Sequence, residues 1–326
     1  MEMLKSVLLF AVGLVLLIKG GDWFVDGAVG IAKRFRLPDI VVGATVVSIG
    51  TTLPEVMVST TGALAGSGAM AYGNAIGSII CNTALISAIS ITCNPGPVNV
   101  KSMKTPVIFF FMSAAIYCLA AYGLGTFPRW LGFVMLAVFV IYMILTVRNG
   151  MKNPDANEDE EEEGGKEKKL WQELLLLVIG AAVIAVGADL LVDHGQIIAI
   201  GLGVPETVVA LLFVALGTSL PELVTTITSL KKGRASLGVG NVIGANIFNL
   251  VLVSGVAVSL APFDVPAENL LLNTGLNLSL VFDIPVMLGV MTLMTIPALA
   301  SKKLGRWQGI TLLCIYLAFC VCQFVL

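Results

Sequence analysis

Gly217-Thr-Ser-Leu-Pro-Glu222 and Gly50-Thr-Thr-Leu-Pro-Glu55 decide how this chain folds. Each sets a glutamate and a proline inside a stretch otherwise apolar enough to cross a bilayer. An ionisable side chain at such depth costs at least ~2.5–3.5 kcal/mol even on the lenient insertion scale, and it is usually functional. Proline carries no N–H, so Pro54 cannot donate to the Gly50 carbonyl, nor Pro221 to that of Gly217. Each stretch therefore offers a carboxylate, freed backbone carbonyls and two hydroxyls at one level. Those are hard oxygen donors, suited to sodium or calcium.

The two stretches are copies. Glu55 and Glu222 are 167 positions apart, and the same offset pairs Asp22 with Asp189, Asp26 with Asp193 and Pro38 with Pro205. Gly73-Asn-Ala-Ile-Gly77 pairs likewise with Gly240-Asn-Val-Ile-Gly244, and Asn82 with Asn249. The chain divides into two homologous halves, the repeat organisation of secondary transporters.

Composition agrees. With 326 residues, 57% of them hydrophobic and 12% charged, the chain reads as an all-α, polytopic membrane protein with the lipid bilayer as its surroundings. A net charge of −2 singles out no partner class, and no nucleic-acid binding is expected. The cysteines (Cys81, Cys93, Cys118, Cys314, Cys320 and Cys322) lie in or beside apolar runs without metal-site spacing and read as small core residues, with no disulfide framework. A single histidine, His194, argues against a histidine-based metal centre. The first apolar run reads as a retained span, because no cleavage-like site follows it and it belongs to the repeat.

Apolar runs predict ten spans, at 4–30, 39–65, 71–92, 105–125 and 129–148, then 170–197, 205–230, 236–260, 277–299 and 307–325. The first repeat takes residues 1–149 and the second 170–326. Between them, 150–169 holds Glu158-Asp-Glu-Glu-Glu-Glu163 with lysines and glycines, which reads as a solvated acidic linker. It lacks the spaced ligands and turn glycine of a calcium loop.

Basic residues orient the spans. Lys33, Arg34 and Arg36 follow span 1, Lys101 and Lys104 follow span 3, and Arg148, Lys152, Lys166, Lys168 and Lys169 follow span 5. Lys231, Lys232 and Arg234 follow span 7, and Lys302, Lys303 and Arg306 follow span 9. The loops after even-numbered spans carry only Arg129, and the N-terminal tail only Lys5. Odd connections are therefore expected in the cytoplasm, with both termini outside. Spans 2 and 7 then run in opposite directions, which makes the repeats inverted and brings the two broken spans together near the midplane.

Helical spacing narrows the candidates. Thr51 and Glu55 are i, i+4, as are Thr218 and Glu222, so each pair shares a face. The same spacing joins Asn74, Ser78 and Asn82 on span 3, and Asn241, Ala245 and Asn249 on span 8. Gly73 with Gly77, and Gly240 with Gly244, form small-xxx-small pairs expected to press spans 3 and 8 onto the broken ones. Two facing carboxylates balance one calcium or two sodium ions. Left empty they would repel each other in a poorly hydrated place, so cations or protons must occupy the site in every state that moves. An obligatory exchanger needs that property and a leak does not. Asp22, Asp26, Asp189 and Asp193 are expected near the outer part or ends of spans 1 and 6, or at breaks in them, lining an ion path, serving as caps or solvated at the interface. Trp23, Trp130 and Trp171 read as interface anchors.

These paired motifs, together with GNAIGSIICN and GNVIGANIFN, resemble the alpha-repeats of the sodium/calcium exchanger family, in its short prokaryotic form, over essentially the whole chain. The resemblance implies four cation sites in a diamond among spans 2, 3, 7 and 8. It implies Glu55 and Glu222 as shared calcium ligands, with further oxygens from Thr51, Thr52, Thr218 and Ser219. It also implies backbone carbonyls at Ser48 and Ala215, side chains at Ser78, Asn82 and Asn249, and spans 1 and 6 sliding together across the bundle. Calcium and sodium would be cargo, with no cofactor. The expected location is the inner (plasma) membrane of a prokaryote, with a monomer sufficient for transport. Three positions depart from the family pattern. Ala245 stands where a serine is frequent, Ile79 replaces an asparagine that Asn246 keeps in the second repeat, and Asn249 stands where potassium-dependent relatives carry aspartate. A proton-coupled cation exchanger is the alternative. A passive channel or an intramembrane enzyme fits less well, since no recognised catalytic motif accompanies the glutamates.

Overall fold

The computed structural model describes residues 2–152, 169–202, 217–266 and 277–325. The acidic stretch 153–168, the first part of span 7 and Ala215 lie outside these residues. Helices make up nearly all of the described chain. They are α1 (Glu2–Phe35), α2 (Asp39–Thr51), α3 (Leu53–Leu64), α4 (Gly68–Cys93), α5 (Val100–Leu124), α6 (Arg129–Lys152), α7 (Leu170–Gly201), α8 (Leu220–Lys231), α9 (Ala235–Leu260), α10 (Ser279–Ser301) and α11 (Arg306–Val325). Eight of them are individually long and apolar enough to cross a membrane, and α2 with α3 form a ninth candidate bent by 46°.

Local chemistry explains several boundaries. The Asn99 side chain accepts the Lys101 and Ser102 amides, which starts α5 at Val100, ahead of the predicted residue 105. Gly125 adopts φ +68, a left-handed conformation that ends α5 and that glycine reaches without strain. Single π-type turns interrupt α2 at Gly43–Val47, α4 at Asn82–Ser87 and α9 at Asn249–Val253. The last two begin at residues that share the repeat offset, and such turns are common at functional sites.

Two strand pairs tie the loops. β1 (Gly96–Pro97) pairs antiparallel with β4 (Lys303–Leu304), and β2 (Thr126–Phe127) with β3 (Phe263–Asp264). The first joins the connections after spans 3 and 9, and the second those after spans 4 and 8, so each links loops expected on one side of the membrane.

The centre is built from α2 and α9, whose backbones touch. A Cβ on Gly240 would strike the Ile40 carbonyl, and one on Gly244 would strike Ala44 and Ser48. These glycines admit the close approach expected of them. For Gly73 and Gly77 the stretch equivalent to α2 lies outside the described residues. On the flank, α1 packs along α7. Gly13 and Gly187 face each other there, each so placed that a Cβ would lie 2.9 Å from the other's carbonyl oxygen.

Candidate cation site

The break after α2 positions the first carboxylate. Thr52 takes φ −86 and ψ −1, in the sparsely populated bridge region. Its N–H still reaches the Ser48 carbonyl at 3.0 Å, and its carbonyl accepts the Val56 amide at 3.1 Å. Pro54 follows within the first turn of α3, where its missing N–H is harmless. Glu55 thus sits at the start of α3, and Glu222 occupies the same place in α8 after the Thr218–Ser219 turn and Pro221. The positive end of a helix dipole faces each carboxylate.

Both glutamates are fully buried, and none of their carboxylate oxygens has a hydrogen-bond partner among the described residues. Their charges act on each other directly, and the Glu222 carboxylate lies beside the Thr51 and Thr52 hydroxyls of the other half. Around them the Thr52 and Ser219 hydroxyls, both polar atoms of the Asn82 side chain and Asn249 Oδ1 are also buried without partners. Unpaired buried polar groups are costly and rare, so this many in one place describes a site built for a guest that supplies the missing interactions. Every exposed lone pair belongs to oxygen, which favours a hard cation.

Ser48, Thr51, Thr52, Glu55, Ser78, Asn82, Ser219, Glu222 and Asn249 are all buried, and Thr218 is half-buried beside them. Ala215 lies outside the described residues. Ser48 has a structural task that the sequence did not reveal. Its hydroxyl lies 2.9 Å from the Gly43 carbonyl and 3.0 Å from that of Asn241. Asn74 and Asn241 emerge as supports. Thr51 donates to Asn241 Oδ1 at 3.1 Å, Thr218 donates to Asn74 Oδ1 at 3.4 Å, and Asn74 Nδ2 donates to Ser59 at 2.8 Å. Their i, i+4 spacing with Ser78 or Ala245 was the available signal. Asn246, the asparagine whose first-repeat counterpart is Ile79, bonds a neighbouring group: its Nδ2 donates to Thr83 Oγ1 at 2.7 Å and lies 3.2 Å from the Met291 sulfur.

Two of the roles open to the aspartates fall away. Neither α1 nor α7 is broken, and none of the four caps a helix end. Asp22 and Asp26 lie in the half of α1 that leads to Lys33 and Arg34, away from the predicted outer part, where Lys232 donates to Asp26 Oδ1 at 2.7 Å and to the Asp22 carbonyl at 3.0 Å. The repeat offset carries Lys232 onto Ala65, so Asp189 and Asp193 meet no matching lysine. Trp23, Trp130 and Trp171 are all exposed.

Comparison with known proteins gives a consistent picture. A family model described as "Sodium/calcium exchanger protein" matches residues 5–148 and again 173–325, one match to each half. Over 308 residues the chain is 34% identical to the uncharacterized membrane protein MJ0091 of Methanocaldococcus jannaschii, covering 94% of both. Over 354 residues it is 30% identical to the sodium/calcium exchanger MaX1 of Methanosarcina acetivorans, covering 98% of both. Its fold superposes on a solved structure of the sodium-calcium exchanger NCX_Mj with a TM-score of 0.77 at 32% identity, covering 97% of this chain and 98% of that one.

Proposed function

The chain belongs to the sodium/calcium exchanger family, and on that premise we propose that it moves calcium out of the cytosol against an inward flow of sodium. It is an antiporter and not an enzyme. One observation carries the reading. Two fully buried carboxylates, Glu55 and Glu222, stand at the starts of α3 and α8, near enough for their charges to act on each other, and neither has a hydrogen-bond partner among the described residues.

In this reading Glu55 and Glu222 are the shared ligands of calcium. The Thr51, Thr52, Thr218 and Ser219 hydroxyls, the Ser48 carbonyl, and the Ser78, Asn82 and Asn249 side chains complete the coordination of calcium or sodium. One calcium or two sodium ions neutralise the pair, so the empty, unprotonated site is costly to carry across the membrane. That coupling makes exchange obligatory, with alternating access as its route.

The architecture in this reading is ten spans in two inverted repeats of five, with spans 2 and 7 broken. Three features support it. The family model matches each half separately. The Thr51–Asn241 and Thr218–Asn74 bonds are exchanged by the repeat offset. The strand pairs join loops of like parity. In this reading the base-rich loops after odd spans lie in the cytoplasm and both termini outside, in a prokaryotic inner membrane. In this reading all the ligands come from one chain, so a monomer suffices.

The test is calcium uptake by proteoliposomes under sodium, proton and potassium gradients in turn. Uptake should follow the sodium gradient and vanish in Glu222→Ala. Normal uptake by that variant overturns the assignment, and a proton gradient that drives calcium equally well replaces sodium coupling with proton coupling.

A further inference from the structure

The second half of the broken region carries a polar stripe that the site does not use. On α8, Glu222, Thr225, Thr226 and Ser229 fall at i, i+3, i+4 and i+7, one face of a helix. Thr225 and Ser229 are 0% exposed and Thr226 is 2% exposed, yet all three hydroxyls lack a hydrogen-bond partner among the described residues. A buried threonine on a helix ordinarily gives its proton to the carbonyl one turn back. Thr45, Thr92 and Thr295 do so in this protein, at 2.6–2.7 Å. The α8 hydroxyls leave that bond unmade. The copied stretch of α3 keeps a hydroxyl at Ser59, in the place of Thr226, but has Val58 and Gly62 where α8 has Thr225 and Ser229, so the full stripe is found in one repeat only.

The stripe leads somewhere. α8 ends at Lys231, and Lys232 together with Asp26, Asp39, Ser90 and Ser236 lines a cavity of about 850 Å³. At ~1.5 Å per residue, Ser229 stands roughly 10 Å along the axis from Glu222 and within one turn of that cavity. The cavity also touches Pro97 and Leu304, of the strand pair that joins the base-rich connections.

We propose that Thr225, Thr226 and Ser229 form the passage along which cations, exchanging water for hydroxyl oxygens, travel between the Glu55–Glu222 site and this cavity. The three oxygens stand in for part of the hydration shell as an ion leaves the site. The passage opens at the cytoplasmic face. Its mouth is set by Lys232, whose ammonium is held to one side by Asp26 and the Asp22 carbonyl. The inference rests on the exchanger reading above.

The experiment uses reconstituted full-length protein in vesicles of defined orientation, with Thr225→Val, Ser229→Ala, their combination, and the conservative Thr225→Ser. Calcium KM is measured separately at each face, with saturating sodium opposite, alongside thermal unfolding. For the combination, the cytoplasmic-face KM should rise by about fivefold or more, the effect of losing one hydroxyl contact or several. The outer-face KM should stay within about twofold, and Thr225→Ser should restore wild-type behaviour. Unchanged KM at both faces, or equal losses at both faces with a lowered melting temperature, overturns the passage. Failure of the exchanger reading itself would show separately, as a wild-type protein that takes up no calcium under a sodium gradient.

Discussion

The Thr51 hydroxyl donates to Asn241 Oδ1 at 3.1 Å, across the two halves of the chain. A threonine hydroxyl has one proton, and spending it on Asn241 leaves its lone pairs for the site. Asn241 also sits against Ser48, whose hydroxyl is 3.2 Å from the same oxygen. Asn241→Leu removes that acceptor and frees the Thr51 hydroxyl to turn, while Ser48 keeps the Gly43 and Asn241 carbonyls. Calcium and sodium half-saturation should each rise by about tenfold, one or two net hydrogen bonds in size. Ion titrations of uptake in proteoliposomes measure it, and unchanged affinities would deny Asn241 its supporting role.

The unpaired glutamates make a stability prediction with an inverted sign. A buried carboxylate normally stabilises only when partnered, and here two whose charges act on each other have no hydrogen-bond partner among the described residues. In cation-free buffer at alkaline pH, Glu55→Gln should therefore melt a few degrees higher than wild type while taking up no calcium. Wild type should gain about 2.7 kcal/mol at calcium a hundredfold above its dissociation constant, and the variant almost nothing. Thermal unfolding with and without calcium separates the two. A variant less stable than wild type without ions would mean that the glutamate is structurally paired.

How much of this was readable from the chain depends on what kind of contact is asked about. The break at Thr52 was legible because Pro54 removes a donor, and the buried approach at Gly240 and Gly244 was legible because small residues four apart have one main use. The partner of Thr51 was not. Spacing within a helix says which residues share a face, and only tertiary packing says that Asn241 lies opposite. For Asp22 and Asp26 the sequence left several roles open, and only the structure shows that α1 runs unbroken over 34 residues and that Lys232 pairs with both. The glycines of the α1–α7 contact, Gly13, Gly20 and Gly27 with Gly180 and Gly187, stand seven apart and were in plain view.

Ala245 offers a gain rather than a loss. It is fully buried on α9, one turn before Asn249, and its carbonyl accepts the Asn249 amide at 3.1 Å. Ala245→Ser would add an oxygen on the face that carries Asn249. The sodium half-saturation for calcium efflux should fall by about three- to fivefold, the worth of one added contact. Calcium KM should hardly move, because its two carboxylates are untouched. Sodium and calcium both binding more weakly would show that the serine overpacks the helix.

The α1–α7 pair yields a prediction about rate. Gly13 and Gly187 put two backbones in contact, and Arg34 Nε bonds Glu173 Oε2 at 2.9 Å near the far end of the same pair. Glu173 is 5% exposed, so losing the guanidinium leaves a largely buried carboxylate short of a donor. Arg34→Met should cost about 1–3 kcal/mol in thermal unfolding. If the two helices slide as one body during transport, loosening them should also slow exchange at saturating ion concentrations, because neither helix supplies a ligand and binding stays intact. A lowered kcat with unchanged calcium and sodium KM is the expected pattern. A change in KM with kcat preserved would instead place the ion pair in contact with the site, contrary to its position at the helix ends.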